Sequence, residues 1–158
     1  MTGGTGGSSM APVGACTLTF SFTTVDNQGR YSPRNVSAVW VTDPQGAFVK
    51  TLEENGYIRQ GHLTTWIQAS NGSEVDAVTG ATNYGPRTHD ATWNCTDLKG
   101  AAVPPGAYTM NAEFATDNAG FFGKPAPVLA VPFSVGNGGQ TVAAPDAQYF
   151  TGIALTIQ

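Results

Sequence analysis

The sequence predicts an all-β protein, a two-sheet sandwich of about seven or eight short strands. Three observations carry that expectation. Apolar and polar residues alternate in short runs, Leu18, Phe20 and Phe22 against Thr17, Thr19 and Ser21 being the clearest. Turn clusters of Gly, Pro, Asn and Asp separate the runs. Gly 20, Pro 10 and a charged fraction of only 11% complete a turn-rich composition, against roughly 25% charged residues in an average globular protein.

Residues 1–14 read as a flexible Gly/Ser-rich linker with nothing to bury, followed by a single domain over residues 15–158. The first strand begins at Cys16 and ends near the Asp26-Asn27-Gln28-Gly29-Arg30 turn. The next spans residues 36–42, with Val36, Ala38, Trp40 and Thr42 on one face. Asp43-Pro44-Gln45-Gly46 follows, with Pro at the second turn position and Gly at the fourth, and leads into a hairpin partner at residues 47–52. Around Leu63-Thr64-Thr65-Trp66-Ile67 neither period fits, so one or two helical turns and a covering loop both remain open. Residues 85–94 and 107–115 read as strands joined through a turn region at 97–106. Residues 128–135 and 150–157 close the sheets. Pro132 places the former at an edge or a bulge, because proline cannot donate to a ladder.

Composition excludes several functions. The net charge is −4, and the seven Lys and Arg are scattered singly, so no phosphate-tracking patch for nucleic acid exists. No apolar run approaches the roughly 18 residues of a membrane span. Residues 1–9 lack the basic and apolar parts of a signal peptide. Val13-Gly14-Ala15-Cys16 lacks the preceding apolar stretch of a lipoprotein cleavage box, so a longer precursor is expected to carry the export signal. No GxSxG turn occurs, and His62 and His89 have no metal-ligand spacing. No catalytic residue and no metal site is therefore expected. Glu53-Glu54 reads as solvated charge beside the Asn55-Gly56 turn, and Phe121-Phe122, between two glycines, as an exposed contact patch for a protein partner or self-assembly.

Cys16 and Cys95 are too few and too far apart for a zinc site or a CxxC pair. In an exported protein they pair with each other, closing a loop of about 80 residues and adding up to roughly 4.5 kcal/mol. The alternative is two buried thiols acting as small hydrophobes.

Val36-Ser37-Ala38-Val39-Trp40-Val41-Thr42-Asp43, Gly46 to Leu52, Trp66, Asp76-Ala77-Val78-Thr79-Gly80-Ala81-Thr82, Trp93 and Val103-Pro104-Pro105-Gly106-Ala107-Tyr108 together carry a resemblance. Over residues 17–115 the chain resembles a family of predicted periplasmic proteins of unknown function, found beside flavin transferases and PepSY-type membrane proteins. Trp93, Asp97, Gly100 and the Val-Pro-Pro-Gly turn before Tyr108 are similar to the Ig-like module of flagellar hook-capping proteins. That likeness implies an immunoglobulin-like form of the sandwich.

Asp76 to Thr82 is also similar to the string at which FMN is esterified in flavin-carrying subunits of membrane redox complexes. This implies Thr82 as the attachment hydroxyl, Gly80 and Ala81 allowing close approach, and Asp76 and Thr79 flanking the turn. In flavin-bearing domains an amphipathic helix follows the string, whereas here Asn83-Tyr84-Gly85-Pro86-Arg87 breaks a helix. A second reading is structural: Asp76 and Thr79 cap a turn, Gly80 supplies a positive φ, and Thr82 opens the loop before the next strand; a third is a loop for a noncovalent ligand.

The expected protein is an extracytoplasmic, non-catalytic binding or structural module, without a cofactor, accessory to a redox system or self-assembling at the surface. Its alternative is an electron carrier with FMN on Thr82.

Overall fold

The structure, a computed structural model, describes residues 15–117 and 126–158. The linker expected at residues 1–14 and the Phe121/Phe122 contact patch lie outside the described residues.

Two antiparallel-dominated sheets face each other, so the all-β two-sheet sandwich holds. The described residues form nine strands, against the seven or eight expected: β1 (Leu18–Thr24), β2 (Val36–Thr42), β3 (Phe48–Asn55), β4 (Val78–Gly80), β5 (Thr88–Trp93), β6 (Gly106–Ala115), β7 (Val128–Val135), β8 (Gln140–Ala143) and β9 (Phe150–Ile157). One sheet runs β5-β1-β9-β8 and the other β4-β3-β2-β6-β7. The extra strands are β4 and β8. Both are short and at sheet edges, and neither alternates strongly enough to be read locally. Strand β7 is also an edge, as Pro132 requires.

Alternation builds the core. Leu18, Phe20 and Phe22 of β1 meet Val39, Val41, Met110, Ala112 and Phe114 of the facing sheet. Trp93, Tyr108 and Phe133 form an aromatic cluster, with centroids 5.9 to 6.2 Å apart. The Tyr108 hydroxyl donates to the Pro104 carbonyl at 2.8 Å, which ties the Val-Pro-Pro-Gly turn back onto its strand. At Gly46 φ is +79°, a region open to glycine, and its N–H donates to the Asp43 carbonyl at 2.9 Å. This closes the expected hairpin turn.

Strand β2 is buried on both faces. Its Val36, Ala38 and Trp40 face outward, under Leu63 and Trp66. Those two belong to a cover made of a 3-10 helix, Tyr57–His62, the linking Leu63, and α1, Thr64–Ser70. The ambiguous segment is thus helical, and its apolar residues serve the outer face of the sheet rather than the central core. Glu113 of β6 is fully buried here, accepting the N–H of Thr65 at 3.2 Å and of Trp66 at 2.7 Å. A sheet carboxylate therefore satisfies the first turn of α1, where four N–H groups lack intrahelical partners.

Cys16 and Cys95 form the disulfide, with Cα atoms 5.7 Å apart. It joins the residues flanking paired β1 and β5 where Leu18 opposes Trp93.

Candidate functional site: the open edge of the sandwich

The sandwich is open along one side. Strand β5 pairs with β1 alone, and β4 covers β3 only over Glu53–Asn55. Between these edges runs a cleft of about 610 Å³, walled by Thr88, Asp90, Ala91, Thr92 and Trp93 of β5 and by Lys50, Glu53, Asp76 and Val78. Val78 is 73% exposed.

Glu53 and its neighbour Glu54, expected to be solvated, are 6% and 1% exposed. The strand extends past the predicted end at Leu52 and takes both carboxylates into the structure. Glu53 lies in the cleft wall, where its Oε1 is 2.7 Å from His89 Nδ1 and 3.5 Å from Arg87 Nη2. Asn55 Nδ2 donates to the same oxygen. Burial pushes the Glu53 carboxyl up, but the hydrogen bond and charge of His89, then Arg87 and Asn55, hold it below the ordinary carboxylate range. His89 is fully buried, stacked on Phe22 at a centroid distance of 4.8 Å, and its Nε2 has no partner among the described residues. A signal for this was present: His89 shares the inward face of its strand with Ala91 and Trp93.

The Asp76 to Thr82 string does not converge on one site. Asp76, at φ 58°, lies in the cleft wall and receives Lys50 Nζ at 3.1 Å. Thr79 and Gly80 lie in β4, which runs parallel to β3. Asp76, rather than Gly80, takes the positive φ. Gly80 is needed for another reason, because a Cβ there would collide with Asn55 Oδ1. Thr82 is half-buried in the loop after β4. It borders a shallow opening of about 580 Å³ with Tyr84 and Arg87, and a small hollow with Arg34, Arg59 and His62. The next residue, Asn83, is buried and exchanges backbone hydrogen bonds with Asn35 at 2.9 and 3.0 Å. The expected strand at residues 85–94 accordingly starts later, at Thr88.

Among the described residues no helix is long and apolar enough to cross a membrane, and no three metal-ligating side chains converge. The family described as predicted periplasmic protein (DUF2271) matches residues 16–145, which carries the likeness past Ala115. No curated protein and no solved structure matches the chain.

Proposed function

The chain belongs to this family of predicted periplasmic proteins, and from that premise we propose that it is a non-catalytic binding module that takes an extended segment of a protein partner along the free edge of β5. The carrying observation is the cleft, which runs along β5, a strand with a sheet partner on one side alone. Such an edge offers a row of N–H and C=O groups for strand addition, with side-chain selection from the opposite wall. Lys50–Asp76 and Arg87–Glu53 supply polar contacts there, and Asp90 stands among them without an ion pair among the described residues. An accessory role beside an extracytoplasmic redox system is the most specific form of this reading.

Peptides selected from a displayed library against the intact protein test it. They are expected to slow amide exchange over β5, and Thr92→Arg, at an exposed position of the wall, is expected to weaken them by about tenfold. Protection confined to another face, or unchanged affinity in Thr92→Arg, sinks the proposal. Concentration-dependent protection of β5 without peptide assigns the edge to a second copy instead.

A second reading makes Thr82 an FMN carrier. It is favoured by the placement of Thr82 beside Arg34 and Arg59, whose charge suits a phosphate. Co-expression with a flavin transferase is then expected to give a yellow protein heavier by one FMN moiety, with both signs lost in Thr82→Ala. An unmodified intact mass removes this reading.

A further inference from the structure

On the other flank of β3 lies a separate cavity of about 390 Å³, walled by Glu54, Tyr57, Gln60, Glu74, Thr79 and Gly80. Glu54 is 1% exposed, yet its Oε1 has no hydrogen-bond partner among the described residues. A buried acceptor in that condition carries a desolvation cost. Burial first, and then the charge of Glu74, pushes the Glu54 carboxyl up to about 7, against a smaller pull from the Tyr57 amide. Neither carboxylate is in an ion pair among the described residues. Tyr57, held at φ 43° and 73% exposed, stands at the rim. Gly56 leaves the room that Oε1 occupies, since a Cβ there would press on that oxygen.

We infer that this cavity binds an organic cation, an alkylammonium or guanidinium group, with Glu54 and Glu74 as its counter-charges. Glu54 lines the cavity, so a cation bound there gives its carboxylate a counter-charge, and the second carboxylate completes charge balance. An aromatic rim favours a cation over its face. The volume falls within the range of small-ligand sites and far exceeds what a bare ion fills. A metal ion would have only two carboxylates here and would keep most of its water. The cation comes from either a free amine or a Lys or Arg side chain of a partner. The inference is independent of the β5 cleft, because Thr92 touches no part of this cavity.

Calorimetric titration of the intact protein with cadaverine, N-acetyl-lysine methylamide, arginine amide and calcium chloride, at constant ionic strength, tests it. Saturable binding of an amine or guanidine is expected at about pH 8, weakening towards about pH 6 as the carboxyl proton competes. Glu54→Gln is expected to reduce affinity by about tenfold or more. Glu74→Gln, at an exposed position, is expected to do the same to a smaller degree without threatening the fold. Tighter binding of the lysine derivative than of cadaverine assigns the site to a partner's side chain, and the reverse assigns it to a free amine. Binding of calcium alone overturns the inference, as does no saturable binding of any amine or guanidine, or unchanged affinity in both variants.

Discussion

Removing the Cys16–Cys95 bridge is expected to lower the stability of the protein by about 2–5 kcal/mol. The bridge closes a loop with a sequence separation of 79, so its loss restores much conformational freedom to the unfolded chain. In the folded state it pins the end of the β1–β5 pair where Leu18 meets Trp93. Fraying there would also disturb the aromatic cluster of Trp93, Tyr108 and Phe133. Urea unfolding of Cys16→Ser, Cys95→Ser beside the oxidised protein measures the effect. For a chain of this size the midpoint of thermal unfolding is expected to fall by about 10 °C. An unchanged midpoint would mean that the bridge carries no stability. The oxidising periplasm suits such a bridge, which a reducing cytoplasm would not maintain.

Glu53→Ala is expected to cost about 1–3 kcal/mol, the range for leaving a buried hydrogen-bonding group without its partner. The substitution leaves His89 Nδ1, in a fully buried ring, without its acceptor at 2.7 Å. Replacing both partners, Glu53→Leu with His89→Phe, is expected to recover much of that loss, because the buried imidazole is no longer orphaned and only the Asn55 amide loses an acceptor. A double variant as unstable as Glu53→Ala would assign the cost to packing instead.

The pH dependence carries the same chemistry with two signs. The carboxyl of Glu53 is lowered on folding, so its contribution is present above the ordinary carboxylate value of 4.5 and is lost as pH falls through its folded value. Glu54 runs the other way. Its contribution is full below 4.5 and is lost as pH rises through about 7. Burial pushes Glu113 up as well, opposed by the amides of Trp66 and Thr65, so it follows Glu54 in sign. Unfolding midpoints across this range are therefore expected to be highest near 4.5 and to decline towards neutrality. Glu54→Gln is expected to flatten the decline, and an identical slope in that variant would contradict it.

Strand periodicity was legible because it depends on neighbours two residues apart. Leu18, Phe20 and Phe22 announce one buried face, and Pro132 announces an edge. The turn at Asp43 to Gly46 was legible for a related reason, since its residue types serve its own backbone. By contrast, Glu53-Glu54 read as solvated charge. Nothing adjacent in the chain reveals that a histidine 36 residues later supplies the partner of one carboxylate. The segment around Trp66 was ambiguous because its apolar residues answer to the outer face of a sheet. The Asp76 to Thr82 string looked like one site, yet its residues are distributed over the walls of separate cavities.

By itself, then, the sequence determined the fold class, the order of the main strands and a favoured pairing of the two cysteines. Those follow from side-chain alternation, turn chemistry and an exported protein's composition, all readable along the chain. Only the tertiary structure decided which sandwich edge stays open and which carboxylates are buried. It alone placed Glu54 in the wall of a cavity. Those outcomes depend on strand order and on contacts between residues far apart in sequence, where burial and charge act through space.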